Sequence, residues 1–196
     1  MSELELLPLT RVTPPEWINI VKSDFNAFLL DHASCERKAA ASALSLMARH
    51  ADQPMLVETM VTLAREELEH FGQVHRILLK RGLVLRPDEK DPYVNGLLTA
   101  VRQQPWERLL DRLLVSALIE ARSCERFHIL STSELEDPEL QTFYRTLYRS
   151  EAGHYRVFLR LAERIFGAAA VADRWPGMCA FEGEVMVATP LRPAVH

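Results

Sequence analysis

The sequence predicts an all-α chain, a four-helix bundle in which a long crossover joins the second and third long helices. Three observations carry this. Leu, Ala, Glu and Arg, all strong helix formers, are abundant, while Gly supplies only 7 of 196 residues. Apolar residues recur at three- and four-residue steps through four long segments. Each of those segments carries a helix start or stop signal.

Thr13-Pro14-Pro15-Glu16 predicts a first short helix to about Lys22, with Thr13 as cap, Pro at the first helical position and Glu three residues after the cap. Ser23 or Asp24 starts the first long helix, whose apolar positions Phe25, Phe28, Leu29, Ala39, Ala40, Ala43 and Met47 share a face. Asp52-Gln53-Pro54 opens the second, which ends at Lys80-Arg81-Gly82 with cations in its last turn and Gly beyond. Residues 82–104 hold Pro87, Pro92 and Gly96 and predict a crossover with a short helix near 93–102. Pro105 opens the third long helix, to about Ser131 or Ser133, and Asp137-Pro138 opens the fourth, which ends at Gly167. The tail, 167–196, predicts at most a short helix around 175–186. The whole chain, 1–196, reads as one domain with its bundle core at about 23–166.

Bulk properties narrow the function classes. The formal net charge is −4, so a nucleic-acid partner would need a local basic patch. Cys35, Cys124 and Cys179 form no CxxC pair, and an odd count suggests reduced thiols and a cytoplasmic protein. The acidic N-terminal stretch lacks the basic and apolar pattern of a secretion signal. No run is apolar enough to predict a membrane span.

The chemistry lies in two Glu-x-x-His segments, Glu67 with His70 and Glu151 with His154. Residues three apart on a helix project from neighbouring turns of one face, so both reach one metal. Each pair falls on an apolar stripe: Leu63, Glu67, His70, Val74 in one, and Leu147, Glu151, His154, Phe158 in the other. The remaining long helices each place a carboxylate on the core side, Glu36 and Glu120. The spacing repeats: 67 − 36 and 151 − 120 both equal 31. Carboxylates on core faces are costly unless paired or metal-bound. One Glu from each of two helices plus Glu-x-x-His from each of the others is the donor pattern of a di-metal carboxylate bundle. Hard carboxylates with two imidazoles and no thiolate suit iron or manganese, and six donors are too many for one tetrahedral zinc.

A competing assignment comes from an internal repeat. Ser34-Cys35-Glu36-Arg37 recurs as Ser123-Cys124-Glu125-Arg126, which would pair Glu125 with Glu36. Hairpin length favours Glu120, because Glu36 and Glu67 lie about equally far from their turn and Glu125 stands only 8 residues before Ser133. Glu125 is then an extra carboxylate beside the site. His32 and His128 read as pocket or proton-relay residues, or as ordinary hydrogen-bonded histidines supporting the ligands. Arg145, Arg149, Arg156, Arg160 and Arg164 share the outer face of the fourth long helix and read as a solvated stripe, the alternative being a contact to a phosphate backbone. Arg37, Lys38, Arg122 and Arg126 flank the ligands and are expected to line a phosphate route inward, or to pair with buried carboxylates. Trp17, Tyr93 and Trp106 read as core anchors.

Four runs carry a family resemblance: DHASCERKAA at 31–40, EELEHF at 66–71, IEARSCERF at 119–127 and SEAGHY at 150–155. They resemble the bacterial tRNA methylthio-isopentenyladenosine hydroxylases over about residues 7–166, less clearly in the tail. The resemblance implies a ferritin-like di-iron monooxygenase that hydroxylates the isopentenyl side chain of a hypermodified adenosine beside the tRNA anticodon. It implies two iron ions on Glu36, Glu67, His70, Glu120, Glu151 and His154, with Glu67 and Glu151 bridging. It also implies dioxygen and an external electron donor as co-substrates, supplied through an unidentified electron-transfer protein. Two rival readings are a ferroxidase or peroxide-scavenging protein of the same fold, and a structural or RNA-binding bundle with a stabilising metal.

Overall fold

In the computed structural model, residues 7–135 and 137–196 are described; the acidic start of the chain, 1–6, lies outside them. Seven helices follow in order: α1 Glu16–Ser23, α2 Phe25–Arg49, α3 Pro54–Lys80, α4 Pro92–Leu98, α5 Pro105–Thr132, α6 Pro138–Phe166 and α7 Ala168–Ala188. No strand occurs among the described residues.

Local chemistry sets most boundaries. The Asp24 carboxylate accepts from the Ala27 amide and caps α2, and Asp137 accepts from the Glu139 amide at the start of α6. Pro54, Pro105 and Pro138 occupy the first turns of their helices, where the missing N–H costs nothing. Helix α3 ends on Gly82 at φ 68°, and the Leu83 amide reaches back to the Leu78 carbonyl at 2.9 Å.

Three expectations need correction. Thr13 does not cap α1, because its amide and hydroxyl both donate to Glu125. Helix α4 is shorter than expected and ends at Leu98. The tail holds a 21-residue helix where a short one was expected. Three consecutive alanines start α7 directly after Gly167, and Pro176 sits inside it without ending it.

The chain divides into two compact units. One contains Asn19–Glu89 with Arg192–Val195, and the other contains the described residues up to Ile18 together with Lys90–Leu191 and His196. In the first, α2 and α3 form an antiparallel hairpin that buries Phe28, Leu29, Ala33, Ala40, Ala43 and Leu46 from α2. Leu56, Met60, Leu63, Ala64, Val74 and Leu78 meet them from α3. In the second, α5 and α6 form the matching hairpin, and α4 and α7 also pack on α5. Helix α5 is therefore covered on several sides, with 18 of its 28 residues buried. Its buried polar residues Asp111, Arg122 and Glu125 are matched with partners. No helix among the described residues is long and apolar enough to cross a membrane.

Candidate metal centre

The α2–α3 hairpin brings Glu36, Glu67 and His70 together. All three are buried, and one donor atom from each lies within 4.8 Å of the others. His70 Nδ1 stands 3.8 Å from a Glu36 oxygen and 3.9 Å from a Glu67 oxygen. His32, one turn before Glu36 and fully buried, hydrogen-bonds the other Glu36 oxygen through Nε2 at 2.7 Å. It thereby fixes that carboxylate's orientation.

The α5–α6 hairpin brings Glu120, Glu151 and His154 together in the same way. Each is buried, with one donor atom apiece inside the same 4.8 Å spread. His154 Nδ1 lies 3.0 Å from Glu151. The cause is the spacing already described. In both hairpins the Glu-x-x-His pair sits on a stripe of large apolar residues, and the single Glu faces it from the partner helix. Each unit thus presents two carboxylates and one imidazole, a hard donor set that suits iron. The thiols do not enter either set. Cys35 leans on Asp31, and Cys124 on the Tyr148 carbonyl.

Glu125, the rival to Glu120, is engaged elsewhere. Its two oxygens accept from the Thr13 amide at 2.9 Å, from the Thr13 hydroxyl at 2.6 Å and from Arg122. Arg122 also donates to Glu182 at 2.7 Å and to the Arg11 carbonyl. Tyr93, 1% exposed, donates to the same Glu182 oxygen at 2.8 Å. Burial and the Glu182 charge raise the Tyr93 hydroxyl well above its ordinary pKa. Burial works against the Arg122 charge, but Glu125 and Glu182 outweigh it and raise its pKa. Arg126 stacks over Trp17 at 5.2 Å; burial and the neighbouring Arg122 lower its pKa to about 10.

These contacts decide between the two readings of Arg122 and Arg126, and they revise one further expectation. Arg122 and Arg126 are buried parts of an ion-pair network, not a route for phosphate, while Arg37 pairs with Asp88 at 2.6 Å. Trp106 is not a core anchor, being 56% exposed against Phe166. Sequence reasoning also missed Asp111. It is fully buried and accepts from the Arg102 backbone and guanidinium and from Arg174. Its place among Leu109, Leu110, Leu113 and Leu114 on α5 was the available signal. A third buried set, His196 between Ser123 at 2.9 Å and Asp91 at 3.2 Å, with its ring stacked on Tyr93, was also missed.

Comparison with known proteins agrees with the resemblance carried by the four runs. A protein of Pseudomonas putida, named tRNA 2-(methylsulfanyl)-N(6)-isopentenyladenosine(37) hydroxylase, is 44% identical over 160 residues, 82% of this chain and 77% of its own length. A protein of the same name from Salmonella typhimurium is 34% identical, over 78% of this chain and 74% of its own. Among solved structures, a Synechococcus protein described as having aldehyde deformylating oxygenase activity superposes with a TM-score of 0.90 at 35% identity. That match covers 96% of this chain and 94% of the other. The all-α, ferritin-like fold class expected from the sequence therefore holds. The family description that matches runs over residues 4–196, so it takes in the tail that the four runs left out. On these matches and on the paired Glu-x-x-His hairpins, the chain belongs to the tRNA-(MS[2]IO[6]A)-hydroxylase (MiaE) family.

Proposed function

We propose that Glu36, Glu67, His70, Glu120, Glu151 and His154 hold two iron ions, and that the chain hydroxylates the isopentenyl side chain of a hypermodified adenosine in tRNA. Dioxygen and two electrons from an external donor are the co-substrates. The observation that carries this is the duplication: each hairpin buries two carboxylates and one imidazole with donor atoms within 4.8 Å. Carboxylates this deep are costly without a counter-charge, and two cations supply it. Bound iron would supply the redox capacity that makes dioxygen reactive toward a C–H bond.

The chain's own part is to place and shield the donors. His32 orients Glu36, and the α3 and α6 stripes set each Glu and His on adjoining turns. Phe28 and Leu63 in one hairpin, and Leu113, Leu147 and Phe158 in the other, are buried on the same helices and keep water from the donors. In this reading the two units act as one di-iron domain, and a tRNA substrate places the protein in the cytoplasm.

The test is nucleoside analysis of hypomodified tRNA after incubation with the protein, ferrous iron, reductant and dioxygen. One added oxygen atom on the isopentenyl nucleoside is expected. Dioxygen consumption without that product would favour a ferroxidase or peroxide-scavenging protein. Metal-dependent melting without turnover would favour a structural role.

A further inference from the structure

Helix α6 carries its ligands on one side and five arginines on the other. At 100° per residue, Arg145, Arg149, Arg156, Arg160 and Arg164 fall within a sector opposite Leu147, Glu151, His154 and Phe158. The stripe extends for about 28 Å along the helix. Four of the five are exposed and Arg156 is half-buried. Among the described residues, Arg145, Arg149, Arg160 and Arg164 are held in no ion pair or side-chain hydrogen bond. Arginines elsewhere in the same unit are spent internally: Arg122 on Glu125 and Glu182, Arg102 and Arg174 on Asp111. A protein of net charge −4 thus keeps a local cationic face on the back of a ligand-bearing helix, with the exposed acidic Glu163 in the same sector.

The middle of that face is tied to the interior. Arg156 lies over the Tyr155 ring at 5.1 Å and donates to its hydroxyl at 3.0 Å. Tyr155 is 5% exposed and adjoins His154 in the chain. One side-chain contact and one peptide bond therefore connect the outer face to a metal-ligating imidazole.

We propose that the outer face of α6 docks an acidic one-electron carrier protein, of the iron–sulfur or flavin class, and that electrons enter through Tyr155 and His154. The inference rests on the di-iron hydroxylase reading above. Orientation decides between this partner and the tRNA, since both are anionic. A substrate C–H bond must touch the reacting centre, and this face points away from it. An electron needs only to cross the helix, whose full width is about 10–12 Å. The balance is R–H + O2 + 2 e− + 2 H+ → R–OH + H2O, so the carrier is oxidised by one electron in each of two encounters. Charge complementarity steers such encounters and makes them salt-dependent.

The experiment uses the iron-loaded full chain and, as probe, a plant-type [2Fe–2S] ferredoxin. Arg145, Arg149, Arg160 and Arg164 are changed together to Gln, or to Lys as a charge-conserving variant. Arg65→Gln with Arg76→Gln, two exposed positions on α3, is the control. Iron content and melting are checked first. Ferredoxin binding across a salt series, the anaerobic rate of iron reduction by reduced ferredoxin, tRNA binding, and hydroxylation driven by dithionite are then measured. The Gln variant is expected to lose about tenfold in ferredoxin affinity and reduction rate at low salt. The Lys variant and the α3 control should stay near the parent, as should tRNA binding and dithionite-driven hydroxylation. No salt-dependent ferredoxin binding by the parent overturns the proposal, as does an equal loss in the α3 control. A loss of tRNA affinity in place of ferredoxin affinity makes the face an RNA surface and also overturns it. Failure of dithionite-driven hydroxylation in the parent counts against the di-iron hydroxylase reading, while the binding series still decides the docking surface.

Discussion

Glu120 and Glu125 sit five residues apart on the same helix, are both buried, and do different work. Glu120 joins Glu151 and His154, whereas Glu125 joins Thr13 and Arg122. Glu120→Ala is expected to lower iron content per folded chain, because one of the proposed ligands is gone. Glu125→Ala is expected to leave iron content near the parent's and to cost about 3–5 kcal/mol of stability, since removing one partner of a buried ion pair leaves charge uncompensated. Metal analysis beside denaturant unfolding separates the two; a Glu125→Ala chain that folds normally but holds no iron would reverse the assignment. His70→Ala and His154→Ala should each lower iron from two per chain toward one, read by metal analysis after anaerobic loading. Undiminished loading in both would remove the imidazoles from the ligand set.

Among the elements, α4 and α7 are held against α5 by contacts that the periodicity of α5 alone does not reveal. Asp111 fastens this region through Arg102 and Arg174. Burial alone would raise its pKa, but the hydrogen bonds from Arg102 and Arg174 outweigh this and lower it. The stabilisation is therefore complete above the ordinary carboxylate range near pH 4 and is lost as pH falls through the lowered value. Asp111→Asn should be less stable than the parent at neutral pH, by about 2 kcal/mol. The gap should close in acid below about pH 4, as followed by urea unfolding across pH. A gap independent of pH would show that charge is not what Asp111 contributes. Gly96 marks a close approach of α4 to α7, since a Cβ there would stand 2.7 Å from Val185 Cγ1. Valine is stiff at χ1 and yields little. Gly96→Ala is expected to cost about 1–3 kcal/mol, with partial recovery when Val185→Ala is added. Thermal melting of the single and double variants checks this, and additive losses would rule out the contact as the cause.

For the molecule as a whole, the proposed irons are part of the stability. Four carboxylates with two imidazoles are buried in two triads, and cations bound only by the folded chain stabilise it in proportion to affinity. Chelating the iron should lower Tm by about 5–10 °C, corresponding to a few kcal/mol in a chain of this size. Calorimetry of the loaded and chelated forms reads this directly, and an unchanged Tm would show that the triads need no metal to persist.

The sequence by itself determined the long helices and the buried stripes that carry Glu36, Glu67, His70, Glu120, Glu151 and His154. Those features depend on spacing within one helix, where 3.6 residues per turn converts positions into faces. Matching Glu36 to Glu67 and Glu120 to Glu151 needed only the added fact that a hairpin sets its two arms side by side. Tertiary structure alone decided what covers a face that is polar in the sequence. From the sequence, Arg122 and Arg126 could line a phosphate route or pair with buried carboxylates; the choice falls to the second when α7 brings Glu182 to Arg122 and the Thr13 segment brings its hydroxyl to Glu125 and Arg126. Four of the five arginines of α6, no different in composition, stay exposed. Periodicity reports which residues share a side of a helix. Whether that side meets water depends on contacts such as that of Thr13 with Glu125, 112 positions apart, and no local pattern encodes that separation.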